Sequence, residues 1–281
     1  MTVLNYKSYL FTLAYNLLGE IREAEDIVQD TFEKWLNLNQ SSVQNPKSYL
    51  SRMVINQSID RLKELQKKRE TYKGLWMPEP IVESLDTNFK SSEEKQIDYA
   101  LLFLIEKLNP YERAVFILRE SFDMDYKEIS YLIDQKEDNC RQIMKRSREK
   151  LQKPKKQHKI NPQKYQELLE AFLEACHEQN LEKLEKVLKK DIALYSDGGG
   201  KVAAALKPLF GYNKVTRFLM GVLQLQQEED LAYQPIRINQ KPAALIFNNT
   251  TKEIDSVVSL DIDEEGVSSV FIMRNKDKIH L

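Results

Sequence analysis

The sequence predicts a multidomain protein: two all-α domains, the second with a helix-turn-helix, followed by a C-terminal α+β domain. First, apolar residues recur at helical spacing through the first half of the chain. Second, a short capped helix and a basic helix, joined by a brief polar turn, precede residue 155. Third, the last fifty residues hold four segments rich in β-branched and aromatic residues. The predicted ranges are 1–73 and 95–155 for the helical domains, 74–94 for a linker, and 160–281 for the α+β domain.

Composition bounds the class of protein. A chain of 281 residues with 42% hydrophobic and 30% charged residues is typical of folded protein with two or three domains. No apolar run is long enough to span a bilayer, and residues 1–10 lack the apolar core of a signal peptide, so we expect a cytoplasmic protein. Cys140 and Cys176 stand apart without clustered Cys/His spacing, so we expect no disulfide, no metal and no cofactor.

The charges are segregated along the chain, although the formal net charge is only −1. Residues 136–159 contain ten Lys/Arg against three acids. A second basic cluster is diluted only by Glu64 and Glu70; it comprises Arg61, Lys63, Lys67, Lys68, Arg69 and Lys73. Both stretches are suited to neutralise phosphates. The alternative is that they are two solvated helix faces.

The first domain is predicted to contain three helices over residues 5–70, with breaks near Gly19 and across residues 37–45 and a restart at Pro46. The second helix is amphipathic. Its predicted core face consists of Ala24, Ile27, Val28, Phe32, Trp35 and Leu36. Its opposite face is acidic and consists of Glu25, Asp26, Gln29, Asp30 and Glu33.

The linker 74–94 contains Gly74, Pro78 and Pro80 without sustained periodicity. It also carries the apolar residues Leu75, Trp76 and Ile81. Because a freely solvated linker rarely exposes a tryptophan, we expect this stretch to dock on another part of the protein.

The second domain begins with apolar residues at helical spacing from Ile97 to Leu108, followed by the capping signal Asn109-Pro-Tyr-Glu112. Asp125-Tyr-Lys-Glu128 opens the next helix, and a polar turn at residues 134–136 leads to the last one. That last helix is predicted to point Cys140, Ile143, Met144 and Leu151 inward. Its outward residues would be Asn139, Arg141, Gln142, Lys145, Arg146 and Arg148. Arg and Gln near its start suit base edges in the major groove, while residues 145–148 suit phosphates; an ordinary basic surface helix is the alternative.

The C-terminal domain is predicted to have helices at 162–178, 180–190 and 211–224, with a Gly-rich loop between the last two. Strands are predicted near 232–238, 243–247, 253–262 and 267–273, forming an antiparallel sheet. Helices followed by such a meander make an α+β fold.

The stretches 23–32, 45–61, 108–120 and 138–142 together resemble extracytoplasmic-function sigma factors of the sigma-70 family. Glu23-Ala-Glu-Asp-Ile-Val-Gln-Asp-Thr-Phe32 resembles the segment by which these factors grip core RNA polymerase. Asn45-Pro-Lys-Ser-Tyr-Leu-Ser-Arg52, continuing through Asn56, Asp60 and Arg61, resembles their promoter-melting segment. Leu108-Asn-Pro-Tyr-Glu-Arg-Ala-Val-Phe-Ile-Leu-Arg-Glu120 and Asp138-Asn-Cys-Arg-Gln142 resemble their second promoter-binding domain.

The resemblance implies a function and site residues. Core RNA polymerase would be bound by Asp26, Gln29, Asp30 and Glu33. The −10 promoter element would face Asn56, Arg61 and Lys63, and the −35 element would face the outward residues of the last helix. Phe32 and Trp35 would support the polymerase-binding helix or belong to the core, which we prefer. The protein would act as a monomer.

Together with the motifs 76–80, 197–201 and 274–278, the predicted C-terminal domain resembles the SnoaL-like (NTF2-like) cone domain that is fused to one branch of this family. Three motifs carry this resemblance: Trp76-Met-Pro-Glu-Pro80, Asp197-Gly-Gly-Gly-Lys201 and Arg274-Asn-Lys-Asp-Lys278. The chain departs from the family at Lys276, where Pro is usual, and at Asp123 and Asp134, where Gly is usual. The triple glycine is predicted to dock on the Trp76 linker and the promoter-binding domains; a flexible turn is the alternative, and an anion cradle is only weakly indicated. From these three motifs the interdomain or regulatory residues would be Trp76, Pro78, Glu79, Pro80, Asp197, Gly198, Gly199, Gly200, Lys201, Arg274, Asn275, Asp277 and Lys278.

The sequence does not indicate catalysis. His158, His177 and His280 are the only histidines, and Asp197 has no identifiable partner for general acid/base chemistry, so we predict no catalytic residues. A small-molecule ligand in the C-terminal cavity stays open. We therefore predict a non-enzymatic promoter-recognition subunit regulated by its fused domain. The rival functions are a conventional helix-turn-helix regulator with a ligand-sensing domain and a SnoaL-type enzyme.

Overall fold

A computed structural model describes residues 3–83, 95–151, 161–225 and 230–280. They form two compact units. One unit contains residues 3–71 and 95–151 and is helical, and the other contains residues 72–83, 161–225 and 230–280 and is α+β. Within the described ranges, no helix combines the length and the apolar character that a bilayer-spanning segment needs.

The first three helices of the helical unit begin and end where the sequence predicts: α1 (Lys7–Leu18), α2 (Ile21–Leu36) and α3 (Pro46–Arg69). Gly19 ends α1 with a φ of 70°, a left-handed conformation that glycine adopts without strain. The Asn45 side chain accepts a hydrogen bond from the Ser48 amide and caps α3, with Pro46 in its first turn. The predicted breaks are confirmed.

The remaining helices of this unit are α4 (Tyr99–Leu104), α5 (Pro110–Glu120), α6 (Tyr126–Ile133) and α7 (Glu137–Lys150). The capping box of Asn109 and Glu112 is present, and the Asp125 side chain caps α6 by accepting from the Glu128 amide. Asp123 and Asp134 both adopt left-handed conformations, with φ of 55° and 54°. Aspartate tolerates this conformation better than most residues, so the two departures from glycine leave the turns intact.

The two helical regions, predicted as domains at 1–73 and 95–155, pack together in this structure. The Asn16 amide in α1 donates to the Lys95 carbonyl (2.8 Å), and the Gln66 amide in α3 donates to the Leu108 carbonyl (3.0 Å). These contacts join residues that are 79 and 42 positions apart in the chain. Sequence periodicity predicts which face of a helix is buried, but it does not tell which partner buries it.

The α+β unit contains three helices: α8 (Pro162–His177), α9 (Leu181–Val187) and α10 (Tyr212–Leu225). Its strands are β1 (Val82–Glu83), β2 (Leu188–Asp197), β3 (Leu209–Phe210), β4 (Leu231–Ile238), β5 (Lys241–Asn248), β6 (Ile254–Asp263) and β7 (Gly266–Met273). They form one sheet in the order β1-β4-β5-β6-β7-β2-β3. The predicted α+β architecture is confirmed.

Three details of this unit differ from the sequence prediction. Residues 188–190 begin β2 instead of ending a helix, because Leu188 already pairs with Val267 of β7. The sheet is not wholly antiparallel, since β2 and β7 run parallel. Residues 82–83, within the predicted linker, add β1 to the edge of the sheet beside β4.

The core of this unit lies between α8 and one face of the sheet. Tyr165, Leu169 and Phe172 of α8 are buried together with Leu194 and Val258 of the strands. The buried Tyr165 hydroxyl donates to the Leu260 carbonyl, so the one polar atom of the tyrosine side chain has a hydrogen-bond partner. This core holds β2 in place, and the polar end of β2 at Asp197 carries the contacts described below.

Candidate functional site

Helix α2 presents the acidic face that the sequence predicts. Asp26, Gln29, Asp30 and Glu33 are all exposed, while Ile27, Val28 and Trp35 on the opposite side are buried. Phe32 is half-buried, and Trp35 is 3% exposed and packs beside Tyr49. Leu36, which the sequence places on the core face, is instead exposed at the end of the helix. Within the described residues, Asp26 and Asp30 have no ion-pair partner. These carboxylates are therefore available to a basic partner surface.

The three α3 residues predicted to face the −10 element all contact protein groups in this structure. The Asn56 amide donates to the Leu132 carbonyl of α6 (2.9 Å). Arg61 forms a bidentate pair with Glu23 of α2 (2.5 and 2.6 Å) and also bonds Glu64. The hydrogen bonding from Arg61 lowers the pKa of Glu23, although burial of the carboxylate opposes the shift. Arg61 therefore bridges α2 and α3 here.

Contacts with the helix-turn-helix extend along the same face of α3. Arg52, one turn before Asn56, lies 4.7 Å over the Tyr131 ring and 3.9 Å from the Asp134 carboxylate. Lys63, two turns after Asn56, bonds Asp60 (2.8 Å) and lies 5.3 Å from the Tyr111 ring centroid. Arg52 and Asn56 thus contact α6, whereas Lys63 lies beside the start of α5 and is exposed.

A buried ion-pair network also joins the two helical regions. Arg69 at the end of α3 pairs with Glu20 (2.7 Å) and with Glu106 (2.6 Å), and its side chain is only 11% exposed. Glu106 also pairs with the fully buried Arg113 of α5. Desolvation lowers the pKa of Arg113, although Glu106 opposes that shift. Breaking such a network leaves a charge buried without a partner, which typically costs about 3–5 kcal/mol.

The predicted inward and outward faces of helix α7 are confirmed. Cys140, Ile143, Met144 and Leu151 are buried, while Arg141, Gln142, Lys145, Arg146 and Arg148 are exposed and Asn139 is half-buried. Ser147, also buried, donates to the Ile143 carbonyl (2.9 Å). The left-handed Asp134 ends α6, and two residues separate it from the start of α7, which is the short turn of a helix-turn-helix. The basic residues predicted at 153–159 lie outside the described residues.

The outward side chains of α7 differ in their protein contacts. Arg141 pairs with Glu137 and lies 4.7 Å from the Tyr126 ring centroid, and Arg148 pairs with Glu120 (2.5 Å). The Asn139 amide donates to Gln135 (2.8 Å). By contrast, Gln142, Lys145 and Arg146 form no hydrogen bond or ion pair within the described residues. Their donors and acceptors are therefore open to an external partner.

In the α+β unit, the three predicted motifs meet at the Asp197 carboxylate, which is fully buried. One of its oxygens accepts from the Tyr72 hydroxyl (2.6 Å) and the Gly199 amide (2.9 Å). The other accepts from the Met77 amide (3.0 Å) and from Lys278 Nζ (2.8 Å). We call Tyr72, Trp76, Met77, Asp197, Asn275 and Lys278 the linker clamp.

Lys278 supplies the positive charge of the linker clamp, and its side chain is 9% exposed. Its ammonium group also donates to the Met77 carbonyl (2.7 Å) and lies 4.3 Å from the Trp76 ring centroid. The Asn275 amide donates to the Tyr72 hydroxyl (3.0 Å). Burial, and next the hydrogen bond to Asp197, raise the pKa of Tyr72 well above its usual range. The segment 72–77 is thereby fixed on the α+β domain.

Each glycine of the triple-glycine loop is required by the local geometry. Gly199 and Gly200 have positive φ (64° and 69°), and a Cβ on Gly199 would lie 2.7 Å from the Asn275 side chain. A Cβ on Gly198 would lie 2.3 Å from the Val202 carbonyl. The amides of Gly199, Lys201 and Val202 donate to protein oxygens, so these three amides are not available to an anion.

The other residues of the three motifs lie around the linker clamp. Pro78 and Pro80 are buried, and Glu79 lies 4.0 Å from His280. Arg274 pairs with Asp255 (2.6 Å) and donates to the Ala203 carbonyl (2.8 Å). Lys201 and Asp277 form an exposed pair at 2.5 Å. All three predicted motifs therefore surround one buried ion pair.

Sequence reasoning missed Arg52 and Tyr72. Arg52 lies inside the motif 45–52 but received no role, because its partner Tyr131 is far away in the chain. Tyr72 precedes Trp76 by four residues, and its sequence neighbourhood carries no signal of burial.

An open cleft of about 880 Å³ also lies in the α+β unit, between the start of β2 and the start of α10. Lys189 in this cleft is already neutralised by Asp263 (2.6 Å) and Glu265 (2.7 Å). The charge of Lys189 is therefore paired within the protein and offers no site for an anionic ligand.

Comparisons with known proteins agree with this geometry. The Sigma-70 region 2 model matches residues 2–68, and the Sigma-70 region 4 model matches residues 99–151. The ECF RNA polymerase sigma factor SigJ of Mycobacterium tuberculosis is 27% identical over 78% of this chain and 71% of its own. The probable ECF sigma factor SigI of the same organism is 29% identical over 67% of this chain and 66% of its own. The crystal structure of SigJ matches 99% of this chain and 98% of its own, with a TM-score of 0.79 and 24% identity.

Proposed function

Because the chain belongs to the extracytoplasmic-function sigma factors of the sigma-70 family, we propose specific residues for each step by which it directs RNA polymerase to promoters. Helix α2 binds core polymerase, α3 faces the −10 element, α7 reads the −35 element, and the α+β domain restrains the linker. The observation that carries this proposal is α7: a capped helix and a short turn precede it, and its outward face is basic and exposed.

The polymerase-binding role of α2 is supported by its exposed acidic face and by the burial of its opposite face. An acidic surface of this kind selects a basic partner and not DNA, since phosphates would be repelled. A conventional helix-turn-helix regulator has no need of such a face. This is the feature that favours a polymerase subunit over the regulator.

Reversing two charges on α2 tests this assignment. We expect Asp26→Lys with Asp30→Lys to weaken binding to core polymerase at least about 10-fold, because attraction becomes repulsion, while the melting temperature stays the same. The measurement is the affinity for core polymerase by a fluorescence titration. Glu167→Lys with Glu170→Lys on exposed positions of α8 is the matched control and should bind normally. Unchanged affinity of the α2 variant would contradict the assignment.

DNA binding is proposed to require separation of α3 from the helix-turn-helix. The −10 and −35 elements are about 25 base pairs apart, which is roughly 85 Å of duplex. In this structure the Asn56 amide of α3 bonds the Leu132 carbonyl of α6 at 2.9 Å. One α3 face cannot contact both α6 and promoter DNA. We therefore assign the packed helical unit to a closed state that opens when the protein joins polymerase and promoter.

The α+β domain is proposed to regulate initiation by restraining the linker. The linker clamp begins at Tyr72, three residues after α3 ends at Arg69, and it holds the chain through Met77. Strand β1 then fixes residues 82–83 to the same domain. Fixing this stretch limits the freedom of the chain that must span the two promoter elements. This role needs no catalytic chemistry in the domain.

A further inference from the structure

We propose that Gln142 reads one adenine of the −35 element, through a bidentate hydrogen bond between its side-chain amide and the N6 and N7 atoms of the base. This inference deepens the proposed function and rests on it. It identifies which of the six outward residues of α7 selects a base.

Gln142 occupies a position in α7 that suits contact with a base. In a helix-turn-helix, residues in the N-terminal part of the second helix contact base edges in the major groove. Gln142 is the sixth residue of α7 and is exposed, on the side opposite the buried Cys140 and Met144. Arg146 lies one turn further along the same face, and Lys145 is beside it. Those two cations suit the phosphates that flank the base.

The other polar residues near the start of α7 are either bonded within the protein or carry a charge that DNA repels. Reading guanine with Arg141 would break its pair with Glu137 and its contact with the Tyr126 ring. The Asn139 amide is half-buried and donates to Gln135. Asp138 is exposed, but its carboxylate would be repelled by the phosphates. Gln142 has no such bond to break within the described residues.

The chemistry of the glutamine side chain favours adenine. A glutamine amide offers a donor and an acceptor side by side, and adenine presents the complementary N7 acceptor and N6 donor in the major groove. Guanine presents two acceptors there, so the amide oxygen would face another acceptor. The side chain therefore prefers adenine, and a good bidentate pair discriminates by roughly 5-fold to 100-fold.

The test is transcription by core polymerase with the full chain on a library of templates randomised across the −35 element. We expect the wild-type protein to prefer adenine at one position, and Gln142→Ala to lose at least about 5-fold of that preference at that position alone. Gln142→Arg should shift the preference there to guanine. Lys145→Ala is the control: it should weaken initiation about equally on all templates and reduce the salt dependence.

The outcomes separate the two proposals. A preference profile of Gln142→Ala that equals the wild-type profile, with initiation intact, overturns the role of Gln142. The role of Gln142 is also overturned if Gln142→Ala loses the preference for a base other than adenine. An absence of wild-type initiation on every template instead contradicts the proposed function itself. Since Gln142 is exposed, the melting temperature of the variants should stay unchanged, which confirms that folding is not the cause.

Discussion

Cross-linking α3 to the helix-turn-helix is expected to abolish promoter-specific transcription. Arg52→Cys and Tyr131→Cys place one thiol on each side of the closed interface, where the Arg52 guanidinium lies 4.7 Å from the Tyr131 ring centroid. Both positions are accessible, since their side chains are 37% and 50% exposed. Cys140→Ala and Cys176→Ala remove the two native thiols. A short bismaleimide that a reductant can cleave then joins the two introduced thiols and holds α3 against α6.

The physical reason for the expected loss is geometric. The closed interface covers Asn56, and the two DNA-binding faces cannot separate to match roughly 85 Å of duplex. We expect run-off transcription to fall by at least 10-fold and to return when the bismaleimide cross-link is cleaved. The reason is that the free energy of the lost promoter contacts far exceeds 1.4 kcal/mol, which corresponds to a factor of ten.

Two controls belong to this experiment. A Glu174→Cys, Lys183→Cys pair joins two helices inside the α+β domain, and its cross-linked form should transcribe normally. Capping both thiols of the test variant with N-ethylmaleimide, without joining them, should also leave transcription intact. Equal transcription by the cross-linked and the cleaved test variant would show that the closed state is compatible with promoter binding.

Replacing Asp197 is expected to destabilise the α+β unit far more than replacing the exposed Lys201. Asp197→Asn keeps the shape of the side chain but removes its charge, which leaves the Lys278 ammonium group buried without a counter-ion. Such a loss typically costs about 3–5 kcal/mol. We expect urea unfolding, followed by Trp76 fluorescence in a Trp35→Phe background, to report this loss in the free energy of unfolding.

The same loop provides a matched control. Lys201 and Asp277 form a pair of similar length, but their side chains are 69% and 65% exposed. Lys201→Ala should therefore change the free energy of unfolding by less than about 1 kcal/mol. Asp197→Asn combined with Lys278→Met should recover part of the loss, since it removes both buried charges. Equal effects of Asp197→Asn and Lys201→Ala would refute the linker clamp as a structural element.

The local features of the fold were predictable because their signals lie within one helical turn. The caps at Asn109 and Asp125 need only the three residues that follow, and both are present. The two faces of α7 follow from its 3.6-residue periodicity. Family resemblance indicates the motifs 76–80, 197–201 and 274–278, but it does not indicate the contacts between them.

Long-range pairing was not predictable, because it depends on residues far apart in the chain. The bond from Asn56 joins positions that are 76 apart, and the bond from Lys278 to the Met77 carbonyl joins positions that are 201 apart. Lysine is usually exposed, so its presence at position 278 gives no sign of burial. The parallel pairing of β2 with β7 was missed for a similar reason, since strand residues indicate a strand but not its neighbour.

Run-off transcription from a pool of promoters tests the central claim most directly: core RNA polymerase is assayed with and without this protein. The account predicts new, specific start sites that appear only when the protein is present, and whose templates share a −10 and a −35 element. No new start sites, in a preparation that still binds DNA, would contradict it and would favour a conventional helix-turn-helix regulator.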